Sequence, residues 1–317
     1  TIRDTGERER GAHRDTEGSL FCAERESWCL NFFFAAAMSG AISPVVPADL
    51  RQGDLGSLRA LLAGWTRGPA LTAMLDARLE AANQHTLLTI AARHGQADAV
   101  RLLLESGASV GATTGRGSTA LVIACQEGQL ECVRLLLGAN ADADQAEDDG
   151  VTPLHIACQE GQLECVQLLL EASAAVNQAD ADGFTPLFIA CQKGQLECAQ
   201  LLLEADAAVD KATDDGATPL YIACEKGQLD CARLLLGASA AVDQATDGGA
   251  TPLFTASRNG QIDCVCLMLA AGAAVNQVDT GGFTPLFVAC QEGHLECAQL
   301  LLGASAAVNQ VKGGGAT

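Results

Sequence analysis

The chain has 317 residues, 49% hydrophobic but only 4% aromatic, so its core material is mostly Ala and Leu. That composition favours close helix packing over a sandwich or barrel built on large side chains. A formal net charge of −20 sets the chain against polyanions. Duplex DNA or RNA is thereby excluded as the expected partner, and basic or amphipathic protein segments are favoured. Of the fourteen cysteines, twelve fall inside the periodic pattern described below. They read as free thiols of a reducing, intracellular compartment rather than as a disulfide framework.

In chain order, residues 1–37 come first. They are rich in Arg and Glu and end in Phe32-Phe33-Phe34-Ala35-Ala36-Ala37. They are expected to be an arm without fixed structure, or leader sequence ahead of a start at Met38, the first methionine. The apolar run from Cys29 to Val46 is broken by Asn31, Gly40 and Pro44, so no membrane span is expected there.

From residue 84 onward one phrase recurs every 33 residues, opening on Thr86, Thr119, Thr152, Thr185, Thr218, Thr251 and Thr284. A Gly stands two residues ahead from Gly117 on, and a Pro follows the Thr from Pro153 on. In the unit at Thr152, Thr is a favourable N-cap and Pro153 suits the first helical position. Leu154, Ile156, Ala157 and Cys158 form the apolar face of a short first helix, and Gly161 ends it in a left-handed cap. Leu163, Cys165, Val166, Leu168, Leu169 and Leu170 predict a second helix. The stretch from Asn177 to Gly183 is turn chemistry. One such unit cannot bury its own apolar side, so neighbours must stack on one another. Thr317 falls in phase again, which places the opening of a further unit at the end of the sequence.

Gly150-Val-Thr-Pro-Leu-His-Ile-Ala157 and Gly161-Gln-Leu-Glu-Cys-Val-Gln-Leu-Leu-Leu170 resemble the two signature phrases of the ankyrin repeat family. The resemblance covers residues 84–317 as about seven repeats, open-ended at the C-terminus. It implies an all-α solenoid of stacked helix-turn-helix units with hairpin loops. Upstream, Ala48 to Gly64 looks like the helix pair of an N-terminal capping repeat, giving a cap over 45–83. Its Gly53 lies 42 residues before Gly95, so about nine residues are inserted. The insertion is expected around Trp65 to Ala82, with a helical turn or two in Thr72 to Ala82.

The same resemblance implies a non-catalytic protein-interaction scaffold that binds partners on its concave face, made by hairpin tips and first helices. By position, the tips supply Asp148, Asp149, Asp182, Asp214, Asp215 and Asp247. Val151, Phe184 and Phe283 precede the Thr. The first helices end in Gln159, Glu160, Gln192, Lys193, Glu225, Lys226, Arg258, Asn259, Gln291 and Glu292. These positions vary between units while the framework repeats. Phe184 and Phe283 are expected to be exposed, and exposed aromatics anchor interfaces. Two other readings are a substrate-recognition region of a larger enzyme, such as a ubiquitin ligase or kinase with its catalytic domain beyond residue 317, and the cytoplasmic repeat arm of a channel.

Candidates for chemistry have plainer readings. One set of cysteines closes the first helix (Cys125, Cys158, Cys191, Cys224, Cys290), and another lies early in the second (Cys132, Cys165, Cys198, Cys231, Cys264, Cys297). Ala92 and Ala99 hold these places in the first unit, so packing by small buried residues is expected. Cys290, His294 and Cys297 have metal-ligand spacing, but His294 stands where the five preceding units have Gln, so no metal is expected. His155, Phe188, Tyr221, Phe254 and Phe287 share one position and read as a ladder packing each unit on the next. No nucleophile elbow, phosphate loop, dinucleotide fingerprint or zinc-protease helix occurs, so neither catalytic residues nor a cofactor is expected.

Overall fold

The computed structural model describes residues 55–63, 68–78 and 84–310. The arm or leader over 1–37, most of the residues of Ala48 to Gly64 that precede the first helix, and residues 311–317 lie outside it. Two helices come first, Gly56–Ala63 and Pro69–Leu75. Seven helix pairs follow: Leu87–Arg93 with Ala97–Glu105, Ala120–Gln126 with Leu130–Gly138, Pro153–Glu160 with Leu163–Glu171, Pro186–Lys193 with Leu196–Glu204, Pro219–Lys226 with Leu229–Gly237, Pro252–Arg258 with Ile262–Ala270, and Pro285–Gln291 with Leu295–Gly303. First helices pack on first helices of adjoining units, and second on second, so the layers form a solenoid. An isolated bridge pairs Thr113 with Thr119.

Each unit is started and stopped by its own sequence. The Oγ1 of every opening Thr accepts the backbone N–H three residues on, from Thr89, Val122, His155, Phe188, Tyr221, Phe254 and Phe287 in turn. That satisfies one donor left unpaired at a helix start. At the other end of the first helix of the Thr152 unit, Gly161 has φ 69°, and an added Cβ would lie 2.5 Å from Gln195 Oε1 of the next unit. Glycine suits the left-handed conformation there, and a side chain would in addition have to displace the Gln195 amide. The next N–H turns back: Gln162 donates to Ala157 O at 2.9 Å, and the bond recurs from Gln96 through His294.

The core is a ladder with one rung per unit. Leu88, Leu121, Leu154, Leu187, Leu220, Leu253 and Leu286 line the first helices, and Leu103, Leu136, Leu169, Leu202, Leu235, Met268 and Leu301 the second. All are buried. Loops are joined by polar rungs at the same period. Asp144 Oδ1 accepts Ala175 N–H at 2.7 Å, Asn177 that of Ala208 at 2.8 Å, Asp210 that of Ala241 at 3.0 Å, Asp243 that of Ala274 at 2.9 Å, and Asn276 that of Ala307 at 2.7 Å. The five donors are exposed, so each bond contributes modestly, and repetition at every junction is what ties the loops in one register.

The segment read as an insertion contains the helix Pro69–Leu75, which overlaps the expected Thr72 to Ala82 at its N-terminal end; residues 79–82 lie outside the described residues. Leu71 and Leu75 are buried in the common core. The segment is fastened to the first regular unit by Thr72 Oγ1 to Gly107 O (3.1 Å), Arg78 Nε to Thr113 O (2.9 Å) and Ser109 N–H to Asp76 Oδ1 (2.9 Å). Pro69 presets the helical φ at the start, and the apolar pair Leu71 and Leu75, four residues apart, faces the stack.

Candidate functional site

The loop ahead of each opening Thr is closed by a backbone bond spanning four residues. Glu147 N–H reaches Val151 O at 2.9 Å, Asp180 N–H reaches Phe184 O at 3.0 Å, Thr213 N–H reaches Ala217 O at 2.9 Å, and Asp279 N–H reaches Phe283 O at 3.0 Å. The tips are then tied to one another. Ala181 donates to Asp149 O (2.9 Å), Asp247 to Asp215 O (2.9 Å) and Thr280 to Gly248 O (2.9 Å). Successive tips thus form a row with a fixed backbone. Asp148, Asp149, Asp182, Asp214, Asp215 and Asp247 all stand exposed along it.

The ends of the first helices make a second row. Gln195 Nε2 donates to Gln159 O at 3.4 Å, and Gln261 Nε2 to Glu225 O at 3.4 Å. Asn259 Nδ2 also donates to Glu225 O at 3.4 Å. Asn259, a candidate recognition residue, is therefore part of the stitching between units. Lys226 Nζ pairs with Glu225 at 2.8 Å. Glu160, Lys193, Lys226, Arg258, Asn259, Gln291 and Glu292 are exposed, and Val151, Gln159, Gln192 and Glu225 are half-buried. All nineteen sequence-selected positions reach solvent, while the residues between them are framework.

Phe184 and Phe283 differ from expectation: both are half-buried rather than exposed. The Phe184 ring stacks on Phe188, with centroids 4.9 Å apart and planes 6° apart, and Phe283 stacks on Phe287 at 4.7 Å and 19°. Each aromatic lies four residues before its partner. The tip strand and the capped helix start bring the two rings face to face, which hides part of the first. The backbone of Phe184 is also committed. Its N–H donates to Asp180 Oδ1 at 2.8 Å, and its carbonyl accepts His155 Nε2–H at 2.9 Å from the preceding unit.

His155 is the one polar member of the aromatic position and is buried. Its Nδ1 accepts Thr152 N–H at 3.2 Å, completing a reciprocal cap. Burial lowers its pKa, against the opposing pull of the bond to Phe184, so the neutral Nε2–H form is the one that links the units. Phe188 and Phe254 are buried at the equivalent place and Tyr221 is half-buried.

Ten of the twelve described cysteines are placed as small core residues, Cys290 of the first-helix set being an exception, and all twelve are free thiols. Burial pushes Cys132 and Cys198 up to about 11, away from nucleophilic use at neutral pH. Cys266 and Cys290 are exposed. Among the described residues no group of three or more His, Cys, Asp or Glu is placed to hold a metal ion, and no helix is long and apolar enough to cross a membrane.

A family model described as ankyrin repeats (three copies) matches residues 50–146, 88–180, 136–213, 172–247, 205–279 and 241–312. The crystal structure of the human ASB11 ankyrin repeat domain is similar to the chain, with 30% identity and a TM-score of 0.64, over 69% of this chain and 98% of that one. A comparison with curated proteins gives no match. With Thr-capped helix pairs stacked at a 33-residue period from Thr86 onward, and the family model matching most of the chain, the chain belongs to the ankyrin repeat family.

Proposed function

We propose that the chain is a non-catalytic scaffold that holds other proteins along the row of loop tips and first-helix ends, the concave side of the solenoid. Ankyrin repeats are generally protein-interaction modules. One contrast carries the finer reading. The framework positions of each unit are buried and repeat, whereas the tips and helix ends reach solvent and change from unit to unit. A rigid surface of varied groups suits recognition, because little freedom is lost on binding.

The charge on that surface supports a basic partner. Asp148, Asp149, Asp182, Asp214, Asp215 and Asp247 line the tips, and among the selected helix ends only Lys193, Lys226 and Arg258 oppose them. Of these, Lys226 is already paired with Glu225. An extended basic or amphipathic segment fits, with cations spaced at the ~8–10 Å separation of packed helices. Phe184 and Phe283 keep part of their surface in solvent and supply apolar contact beside the carboxylates.

Selection from a displayed random-peptide library tests this. Recovered ligands are expected to carry net positive charge and to bind more weakly as salt rises. Combined Asp149→Lys, Asp182→Lys and Asp215→Lys substitutions should weaken them at least ~10-fold, equivalent to about 1.4 kcal/mol. Ligands of neutral or acidic character, with affinity indifferent to the three substitutions, would remove this row from the site.

A further inference from the structure

Two departures from the repeat meet at one junction. Before the left-handed glycine that follows each first helix, the units carry His94, Glu127, Glu160, Lys193, Lys226, Asn259 and Glu292. Asn259-Gly260 is the one Asn-Gly step in the sequence. The side chain that lies against this glycine comes from the next unit. It is Gln129 at Gly95, Gln162 at Gly128, Gln195 at Gly161, Gln228 at Gly194 and Gln261 at Gly227, but His294 at Gly260. A Cβ added to Gly260 would stand 2.6 Å from His294 Nδ1, so the imidazole rests on the glycine. A glutamine amide offers no basic nitrogen there, and a neutral imidazole does.

We propose that Asn259 is a deamidation site, with the Gly260 nitrogen as the attacking atom and His294 as the base that takes its proton. Asn259 is exposed and follows a helix of 7 residues, Pro252–Arg258. Its Nδ2 donates to Glu225 O and to Thr255 Oγ1 at 3.4 Å each, both longer than a well-formed N–H···O bond. Gly260 has no side chain to obstruct the approach of its nitrogen to the Asn259 Cγ, and its backbone is free to turn. The attack requires Asn259 ψ to rotate from its 5°. That rotation opens the helix end, where Gln261 N–H donates to Ala256 O at 2.9 Å, and helix ends are where fraying starts.

The chemistry needs water and no oxidant. The Gly260 nitrogen attacks Cγ and an N–C bond forms. The amide proton passes to His294 Nδ1 and on to the departing Nδ2. The Cγ–Nδ2 bond breaks, ammonia leaves, and a succinimide ring remains. Water then adds to one of the two ring carbonyls and breaks its bond to nitrogen, giving an aspartyl or an isoaspartyl residue at position 259. The product carboxylate accepts hydrogen bonds and cannot donate. It therefore gives up the bond to Glu225 O and sets acceptor against acceptor between the units at Thr218 and Thr251. In the isoaspartyl form the main chain is also longer by one methylene at the point where His294 rests.

The full chain is kept warm at mildly alkaline pH, sampled over time, digested with pepsin in acid, and read by mass spectrometry for replacement of the amide NH2 by OH. Isomerisation at Asp-Gly steps such as Asp149-Gly150 leaves the mass unchanged and does not interfere. The change is expected at least ~10-fold faster at Asn259 than at Asn140, Asn177 or Asn276, whose following residues carry side chains. His294→Gln, which restores the residue of the other units, should slow it at least ~10-fold, and added imidazole should restore the rate. Amide exchange at Gln261 should quicken in the deamidated chain. The site is overturned if Asn259 keeps its amide in the folded chain while a free peptide spanning 255–263 loses it. The role of His294 is overturned if the His294→Gln chain reacts at the unsubstituted rate, or reacts slowly and imidazole fails to restore it.

Discussion

The units at Thr185 and Thr284 are nearly the same sequence, Thr185-Pro-Leu-Phe-Ile-Ala-Cys-Gln-Lys-Gly-Gln-Leu-Glu-Cys-Ala-Gln-Leu-Leu-Leu203 against Thr284-Pro-Leu-Phe-Val-Ala-Cys-Gln-Glu-Gly-His-Leu-Glu-Cys-Ala-Gln-Leu-Leu-Leu302. Their surroundings differ. Phe188 is 2% exposed and Phe287 47%. Cys191 is buried and Cys290 exposed, and Leu196 is half-buried where Leu295 is 67% exposed. The first unit lies against the helices that follow Thr218, whereas no described helix lies beyond the second. In a solenoid, then, the burial of a side chain belongs to the junction rather than to the unit. Local features do not change. Both Thr residues cap their helices, with N–H to Oγ1 distances of 3.2 Å.

The comparison breaks most visibly at the aromatic position. Phe188→Ala should cost ~3–5 kcal/mol by leaving a cavity in a closed junction. Phe287→Ala should cost only about 1 kcal/mol, because half of that ring is already in water. Denaturant unfolding of the two variants checks the gap, and equal losses would mean that stacking does not govern this position. A smaller effect tests the converse. Thr185→Ala and Thr284→Ala should each cost about 1 kcal/mol, since a cap acts within its own helix. Amide exchange at Phe188 and Phe287 reads this directly, and protection lost at only one of them would contradict it.

The smallest effect sharpens the same point. Asp206 and Ser305 close the second helices of these two units at φ 62° and 65°, a region that disfavours side chains. Glycine holds the equivalent place at Gly107 and Gly272. Asp206→Gly and Ser305→Gly should each stabilise by ~0.5 kcal/mol, the net of relieved strain and added unfolded-state freedom. Melting midpoints that drop in both variants would show the strain to be negligible.

Much of this could be read along the chain, because the period made each signal appear several times. Thr152, Pro153 and Gly161 declared a helix and its end by local chemistry alone. The cysteine positions declared themselves by alternating with Ala92 and Ala99. The polar rungs from Asp144 to Asn276 recur every 33 residues and carry a signal that went unread, since a lone Asp or Asn in a loop looks like turn chemistry. Pro69–Leu75 was harder. It stands outside the repeat, so nothing in its own seven residues said that Leu71 and Leu75 would join the core. Phe184 and Phe283 read as exposed from the loop they sit in, and the structure half-buries them. Their stacking partners, four residues on, are brought beneath them only when the tip folds back on the helix start.

What the amino-acid order determined by itself is the unit: where each helix begins and stops, which side is apolar, and that the copies share one geometry. Those are short-range matters of hydrogen-bond donors, backbone conformation and spacing. Only the assembled stack decided which of those apolar sides are dry and which varied side chains line up in one row. These depend on groups 29 to 36 residues apart, and no local rule encodes a neighbour that has yet to arrive.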